Sequence, residues 1–190
     1  IGTVQGGDNN AVKTVTGINA GGSQGGFGTG QVSQGTAATT IDQDGTYNKK
    51  TYSSSKDDEN ALRIDKAKVT LNDINVEKSA GSCSNTESGN FYGMNAGLLV
   101  TNGAEAAITG AKVTTSVSNG NGVFSYGTGT KVNISDSEIT TDKDNSGGLM
   151  TAGGGSTTAS NVSVTTTGTS SAALRTDRGG GTVSASGGSY

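Results

Sequence analysis

Two columns of residues recur along this chain at a nearly constant step. Short triads opening on an apolar residue start at Leu62, Leu98, Val123, Leu149 and Leu174, so successive starts lie 36, 25, 26 and 25 residues apart. A second column pairs an apolar or small residue with a β-branched or aromatic one five positions on. It runs Leu71 to Val76, Ile108 to Val113, Ile134 to Ile139, Ala159 to Val164 and Ala185 to Tyr190, with starts 37, 26, 25 and 26 apart. Self-similarity at a fixed period of roughly 20–50 residues marks a solenoid, in which each repeat buries its apolar face only against its neighbours. Upstream, Phe27-Gly28-Thr29 fits the first column, Thr36 to Ile41 fits the second, and Val15 to Ile18 is a candidate for a still earlier turn.

The segments are β rather than α. They alternate with period two, carry Val, Ile and Thr, and are cut by Gly and Asn. No stretch keeps the i, i+3, i+4, i+7 spacing of an amphipathic helix. The predicted fold is all-β, a single-stranded parallel β-helix of about six to seven coils of about 25 residues, stacked at about 4.8 Å. Composition fits this. The 33 Gly, 28 Thr, 23 Ser and 16 Asn exceed half of the 190 residues, and only 29% are hydrophobic. A coil needs apolar residues only at its inward positions, so a chain this polar can still fold. Disorder instead favours high net charge and abundant Pro, whereas here the net charge is -3 and Pro is absent.

Several function classes fall away. With no His, the chain lacks the usual general base and the commonest metal ligand. The lone Cys83 forms neither an internal disulfide nor a zinc cluster. The balance of 13 basic and 16 acidic residues gives no basic stripe for nucleic acid. No run approaches the ~18 apolar residues of a membrane-spanning helix.

The phrases "ENALRIDKAKVTLNDINVEKS", "FYGMNAGLLVTNGAEAAITGAKVTT", "NGVFSYGTGTKVNISDSEITT" and "SSAALRTDRGGGTVSASGG" resemble right-handed parallel β-helix repeat proteins of the broad pectate-lyase-like superfamily. More closely, they resemble adhesin-like surface proteins of anaerobic bacteria, and the similarity covers about residues 44–190. The resemblance implies a right-handed helix and an extracellular or cell-surface location. It also raises polysaccharide lyase or hydrolase chemistry as an alternative. Against that alternative, Arg63-Ile64-Asp65 is not the basic motif of the hydrolases, and no outward carboxylates fall on adjacent coils, as glycoside hydrolysis would need. No catalytic residues are expected. If there were catalysis, Arg175, Asp177 and Arg178 would be the place to look.

Two departures from regularity are the candidate binding features. The first is a stripe. With Leu62, Leu98, Val123, Leu149 and Leu174 inward, the next residues Arg63, Leu99, Phe124, Met150 and Arg175 point outward. Two positions on, Asp65, Thr101, Tyr126, Ala152 and Asp177 join them. An apolar centre of Leu99, Phe124, Tyr126 and Met150 thus sits between two Arg/Asp pairs, as a contact surface or beneath another part of the chain. The second is a pair of long connections at one corner, over residues 42–60 and 77–97, read as insertions in a single domain spanning 1–190 whose first 45 residues are less regular. They carry Tyr47, Tyr52, Asp57 and Asp58, and then Cys83, Glu87, Phe91 and Tyr92. Aromatic rings beside carboxylates and amides suit sugar recognition, the rings stacking on apolar sugar faces.

The expected ligand is therefore a glycan or a cell-surface protein. No cofactor is expected, although Asp57-Asp58-Glu59 and Asp142-Lys143-Asp144-Asn145 offer oxygen ligands of the calcium kind without a calcium-loop spacing. The Thr114, Thr140 and Thr165 ladder faces outward, while Thr115, Thr141 and Thr166 should not. The chain starts in mid-pattern and stops as a strand finishes. It is expected to be a piece of a longer helix or a subunit that self-associates through open coil ends, as in a filament.

Overall fold

The computed structural model describes residues 31–190, together with the backbone of two N-terminal strands, β1 (Thr3–Gly6) and β2 (Val12–Gly17). Residues 31–190 form a parallel β-solenoid of about six turns with a step of about 26 residues. Each full turn places one strand in each of three sheets. The first sheet holds β3 (Thr36–Ile41), β6 (Glu59–Asp65), β9 (Leu98–Thr101), β12 (Val123–Tyr126), β15 (Leu149–Ala152) and β18 (Leu174–Thr176). The second holds β4 (Gly45–Asn48), β7 (Lys68–Asn72), β10 (Glu105–Thr109), β13 (Lys131–Ser135), β16 (Gly155–Ser160) and β19 (Gly181–Ser186). The third holds β5 (Thr51–Ser54), β8 (Asn75–Lys78), β11 (Lys112–Thr115), β14 (Glu138–Thr141) and β17 (Ser163–Thr166).

The repeat dictates this arrangement. The triad column is the first sheet, with Leu62, Leu98, Val123, Leu149 and Leu174 in register. The second column is two strands folded across a corner: Leu71, Ile108, Ile134 and Ala159 stack in the second sheet, and Val76, Val113, Ile139 and Val164 in the third. Between them, every coil turns through positive φ: at Lys49, Asp73, Gly110, Asp136 and Asn161, and at Gly187 and Gly188 in the last coil. Asn, Asp and Gly reach the left-handed region most easily, which explains the Asn/Asp/Gly marks at that point of each repeat. The inward columns form one continuous core.

Polar residues inside the core bond to the corners. Thr115, Thr141 and Thr166 point inward, and each hydroxyl donates to the carbonyl five residues on, at Gly120, Ser146 and Ser171. Thr114, Thr140 and Thr165 lie in register on the opposite face of the third sheet.

Two expectations from the sequence change here. Residues 42–60 are not an insertion; together with β3 they complete a coil. Thr39 pairs with Leu62, Tyr47 with Leu71 and Tyr52 with Val76, so β3, β4 and β5 supply one strand to each sheet. Thr36 to Ile41 therefore belongs to the first sheet and not to the second column. The coil is hidden in the sequence because Thr and Tyr stand where later coils carry Leu and Val. The N-terminal residues also do not form an earlier parallel turn around Val15. Instead β2 pairs antiparallel with β19, Val15 facing Val183, and β1 pairs antiparallel with β2. Phe27-Gly28-Thr29 lies outside the described residues.

The second long connection is a true insertion. Asp58 N donates to no neighbour of its own coil but to Ser82 O of the next, so the corner is regular up to Ser82. The chain then leaves the coil, forms the helix α1 (Thr86–Tyr92), and rejoins the first sheet at β9.

Candidate functional site

α1 starts and stops on its own local signals. Asn85 caps it, its side chain accepting from Ser88 N at 3.0 Å, and Gly93 ends it with φ 85°. Gly93 is also a point of close approach, since a Cβ there would lie 2.7 Å from Leu99 Cδ1 and 3.1 Å from Phe124 Cγ. The insertion thus lies flat on the outer face of the first sheet, and this decides the fate of the predicted stripe. Leu99, Phe124 and Met150 do point away from the main core, as the alternation requires, but all three are fully buried. With Ala96 and Ala152 they form a second, smaller core beneath the insertion. They are packing residues and are not available to a ligand. The sequence offered contact surface or internal cover for this stripe, and the cover is the chain's own residues.

Side-chain amides fasten the strap. Asn60 Nδ2 donates to Gly93 O at 2.9 Å and to Ala96 O at 3.1 Å. Arg63 fixes that amide by donating to Asn60 Oδ1 through Nε at 3.1 Å and Nη2 at 2.8 Å. On the other side, Asn121 Nδ2 donates to Gly89 O at 3.2 Å and Asn119 Nδ2 to Asn90 Oδ1 at 2.9 Å. Gln34 Nε2 donates to Tyr92 O at 3.0 Å. Of these fastening side chains, the sequence alone had singled out only Arg63. Asn60 and Asn121 stand two positions before Leu62 and Val123, flanking the coil that carries the insertion, and that placement was the available signal.

At the free edge of the strap the buried stripe gives way to a surface with aromatic rings. Tyr92 meets Tyr126 edge to face, their centroids 5.6 Å apart. Both rings are half-buried, and burial, with the neighbouring Tyr92, raises the Tyr126 phenol above its usual pKa. Phe91, also half-buried, carries the Arg178 guanidinium 4.0 Å above its ring. Arg178 pairs with Glu87 on α1, a contact that raises its pKa. One coil position away, Arg175 pairs with Asp177, whose other carboxylate oxygen accepts from Arg178 N at 2.7 Å. Phe91, Tyr92 and Tyr126 are therefore brought together, and Glu87, Arg175, Asp177 and Arg178 join them.

The other sequence candidates lie elsewhere. Tyr52 points into the core and is buried, and Tyr47 packs against that core as its partly buried lid. Neither joins Phe91 and Tyr92, because the coil uses both rings as core fillers. Asp57 Oδ1 accepts from Ser82 N, and Asp58 Oδ1 from Ser84 N, both at 2.7 Å. These carboxylates cap the corner where the insertion departs. Asp142 and Asp144 do similar work on Ser116 Oγ and Thr169 N. No three His, Cys, Asp or Glu side chains among the described residues gather at metal-binding distance. Arg63 faces Asn60 and the Gln34 and Gly35 carbonyls, so it forms the first Arg/Asp pair with Asp65 only by sequence proximity. The larger surface depressions, of about 540 Å³ at Ser53–Lys56 and about 660 Å³ beside Cys83, are lined by hydroxyls and small residues together with Lys56 and Glu59 in the first and Lys143 and Asp144 in the second, and neither has an aromatic ring in its wall. The Cys83 thiol donates to Asn85 O and is held above its usual pKa by burial.

No family model, curated protein or solved structure matches this chain. Among the described residues, no helix is long and apolar enough to cross a membrane.

Proposed function

We propose that this protein is a non-catalytic, adhesin-like recognition scaffold of an extracellular bacterial surface, and that it binds a glycan along the free edge of α1. The coil architecture supports a place among right-handed parallel β-helix proteins of the pectate-lyase-like kind. One observation carries the binding reading. The insertion that breaks an otherwise repetitive solenoid presents three half-exposed rings, Phe91, Tyr92 and Tyr126, beside Arg and Asp side chains. A regular stalk has no need of such an edge. Rings held over a packed second core are rigid, so little side-chain entropy is lost when a sugar stacks on them.

The test is a broad glycan array, followed by Tyr92→Ala and Phe91→Ala. Each variant is expected to lose about tenfold or more in affinity, the scale of an aromatic anchor removed from an interface, with an unchanged far-UV circular dichroism spectrum. An array blank for neutral and acidic glycans alike overturns the reading.

A further inference from the structure

The first coil differs from the others at two corners. Between β3 and β4 the chain reads Asp42-Gln43-Asp44, and between β4 and β5 it reads Lys49-Lys50. All five residues are exposed. No later coil sets an acidic first corner against a basic second one, and the second coil has the reverse, Lys66 and Asp73. Lys49 also stands, with φ 53°, at the turn position that the other coils give to Asp, Asn or Gly, the residues that reach this region most easily. No ion pair among the described residues involves Asp42, Asp44, Lys49 or Lys50. The connection from β2 to β3, residues 18–35, has no Asp, Glu, Lys or Arg to offer them. Asp44 Oδ1 accepts from Lys68 N at 2.7 Å, which fixes that carboxylate at its corner. The same coil ends all three sheets. Among the described residues β3, β4 and β5 each pair on one side only, so their outer edges offer amides and carbonyls to another strand. A lysine alone on such an edge keeps a second copy away. Here aspartates stand at the mirror position across β4.

We propose that the first coil is a dimer interface, in which β4 pairs antiparallel with β4 of a second copy about a two-fold axis through the strand. Pairing one strand antiparallel with itself exchanges its ends, so the acidic corner of each copy meets the basic corner of the other, and the contact is made twice. The same axis sets β3 of one copy over β5 of its partner. At the far end of the solenoid β2 lies on β19, which leaves no free strand in the second sheet there. Association therefore closes at two copies. This interface is independent of glycan binding.

The experiment is analytical ultracentrifugation of the full chain over a range of protein concentrations and salt. A dimer is expected, and its affinity should fall about tenfold or more as the ionic strength rises from about 0.01 M to about 1 M, since the screening length then drops from about 30 Å to about 3 Å. Lys49→Asp with Lys50→Glu makes both corners acidic. Asp42→Lys with Gln43→Lys makes both basic and leaves Asp44 on Lys68 N. Each double variant alone is expected to dimerise about tenfold or more weakly, because like charges then meet twice. An equimolar mixture of the two should recover the association as a heterodimer. Lys49→Asp gives the turn the residue that Asp73 and Asp136 supply in other coils, so a loss of dimer is expected with an unchanged far-UV circular dichroism spectrum. A parent that stays monomeric, an assembly that grows past two copies, a double variant that dimerises as the parent does, or a mixture that stays monomeric each overturns the inference.

Discussion

Lys78 occupies a column that other coils fill with Ser54, Thr115, Thr141 and Thr166. It is fully buried, and its ammonium donates to Lys56 O and to Ser54 Oγ, which donates in turn to Glu59 Oε1 at 2.8 Å. The substitution has a local cause. At this coil the chain departs after Ser82, so there is no tight corner for a Thr hydroxyl to cap, and a longer donor reaches back to the previous coil instead. Burial lowers the Lys78 pKa from its ordinary 10.5, against the opposing pull of Glu59, Asp57 and Asp58. The folded protein thus disfavours the charged form. The penalty is complete below the lowered folded value and is relieved as pH rises from there toward 10.5. The stability difference between the parent and Lys78→Met is therefore expected to move in favour of the parent across that interval, as read by urea unfolding at a series of pH values. A second prediction at this scale concerns Asn121. Asn121→Ala strips a buried donor from Gly89 O and a buried acceptor from Gly147 N. It should cost about 1–3 kcal/mol in the same assay, as an unsatisfied buried polar group does.

α1 is short, contains Gly89, and would not persist alone. Gly89 itself is required by packing, since a Cβ there would lie 2.6 Å from Asn119 Cβ. What holds the element is the second core below and the amide clamps on either side. Phe124 is the largest ring in that core, and Phe124→Ala is expected to destabilise the protein by about 3–5 kcal/mol in chemical denaturation. Much of this stripe was legible in the sequence. The alternation placed Leu99, Phe124 and Met150 on the outer face, where they are. It could not say what lies over them, because cover depends on the path of the excursion after Ser82 and on one helix landing between two asparagines. The first coil failed to show itself for the opposite reason. Its positions are regular, but Thr39, Tyr47 and Tyr52 carry the wrong chemistry for a pattern defined by Leu and Val, although Tyr fills a solenoid core as well as Val does.

Across the whole molecule, stability runs from coil to coil, because each repeat touches only its neighbours. The ends matter for the same reason: an uncovered edge strand offers unpaired amides and carbonyls to another chain. The antiparallel pairing of β2 on β19 covers the last strand of the second sheet. Removal of residues 1–17 uncovers it, and the expected outcome is concentration-dependent association in light scattering, with elongated particles by electron microscopy. A truncated chain that scatters as the parent does would show that β2 does not guard this edge.

The sequence by itself determined the coil. Period-two alternation, a step near 25 residues and left-handed residues at fixed points leave the backbone one economical way to bury so few apolar side chains. Only the tertiary structure decided which outward residues meet solvent. Alternation assigns a side chain to a face of a sheet, and exposure of that face depends on what the rest of the chain lays across it. So Leu99, Phe124 and Met150 became core, while Phe91, Tyr92, Tyr126 and Arg178, drawn from three separate stretches of sequence, became one edge.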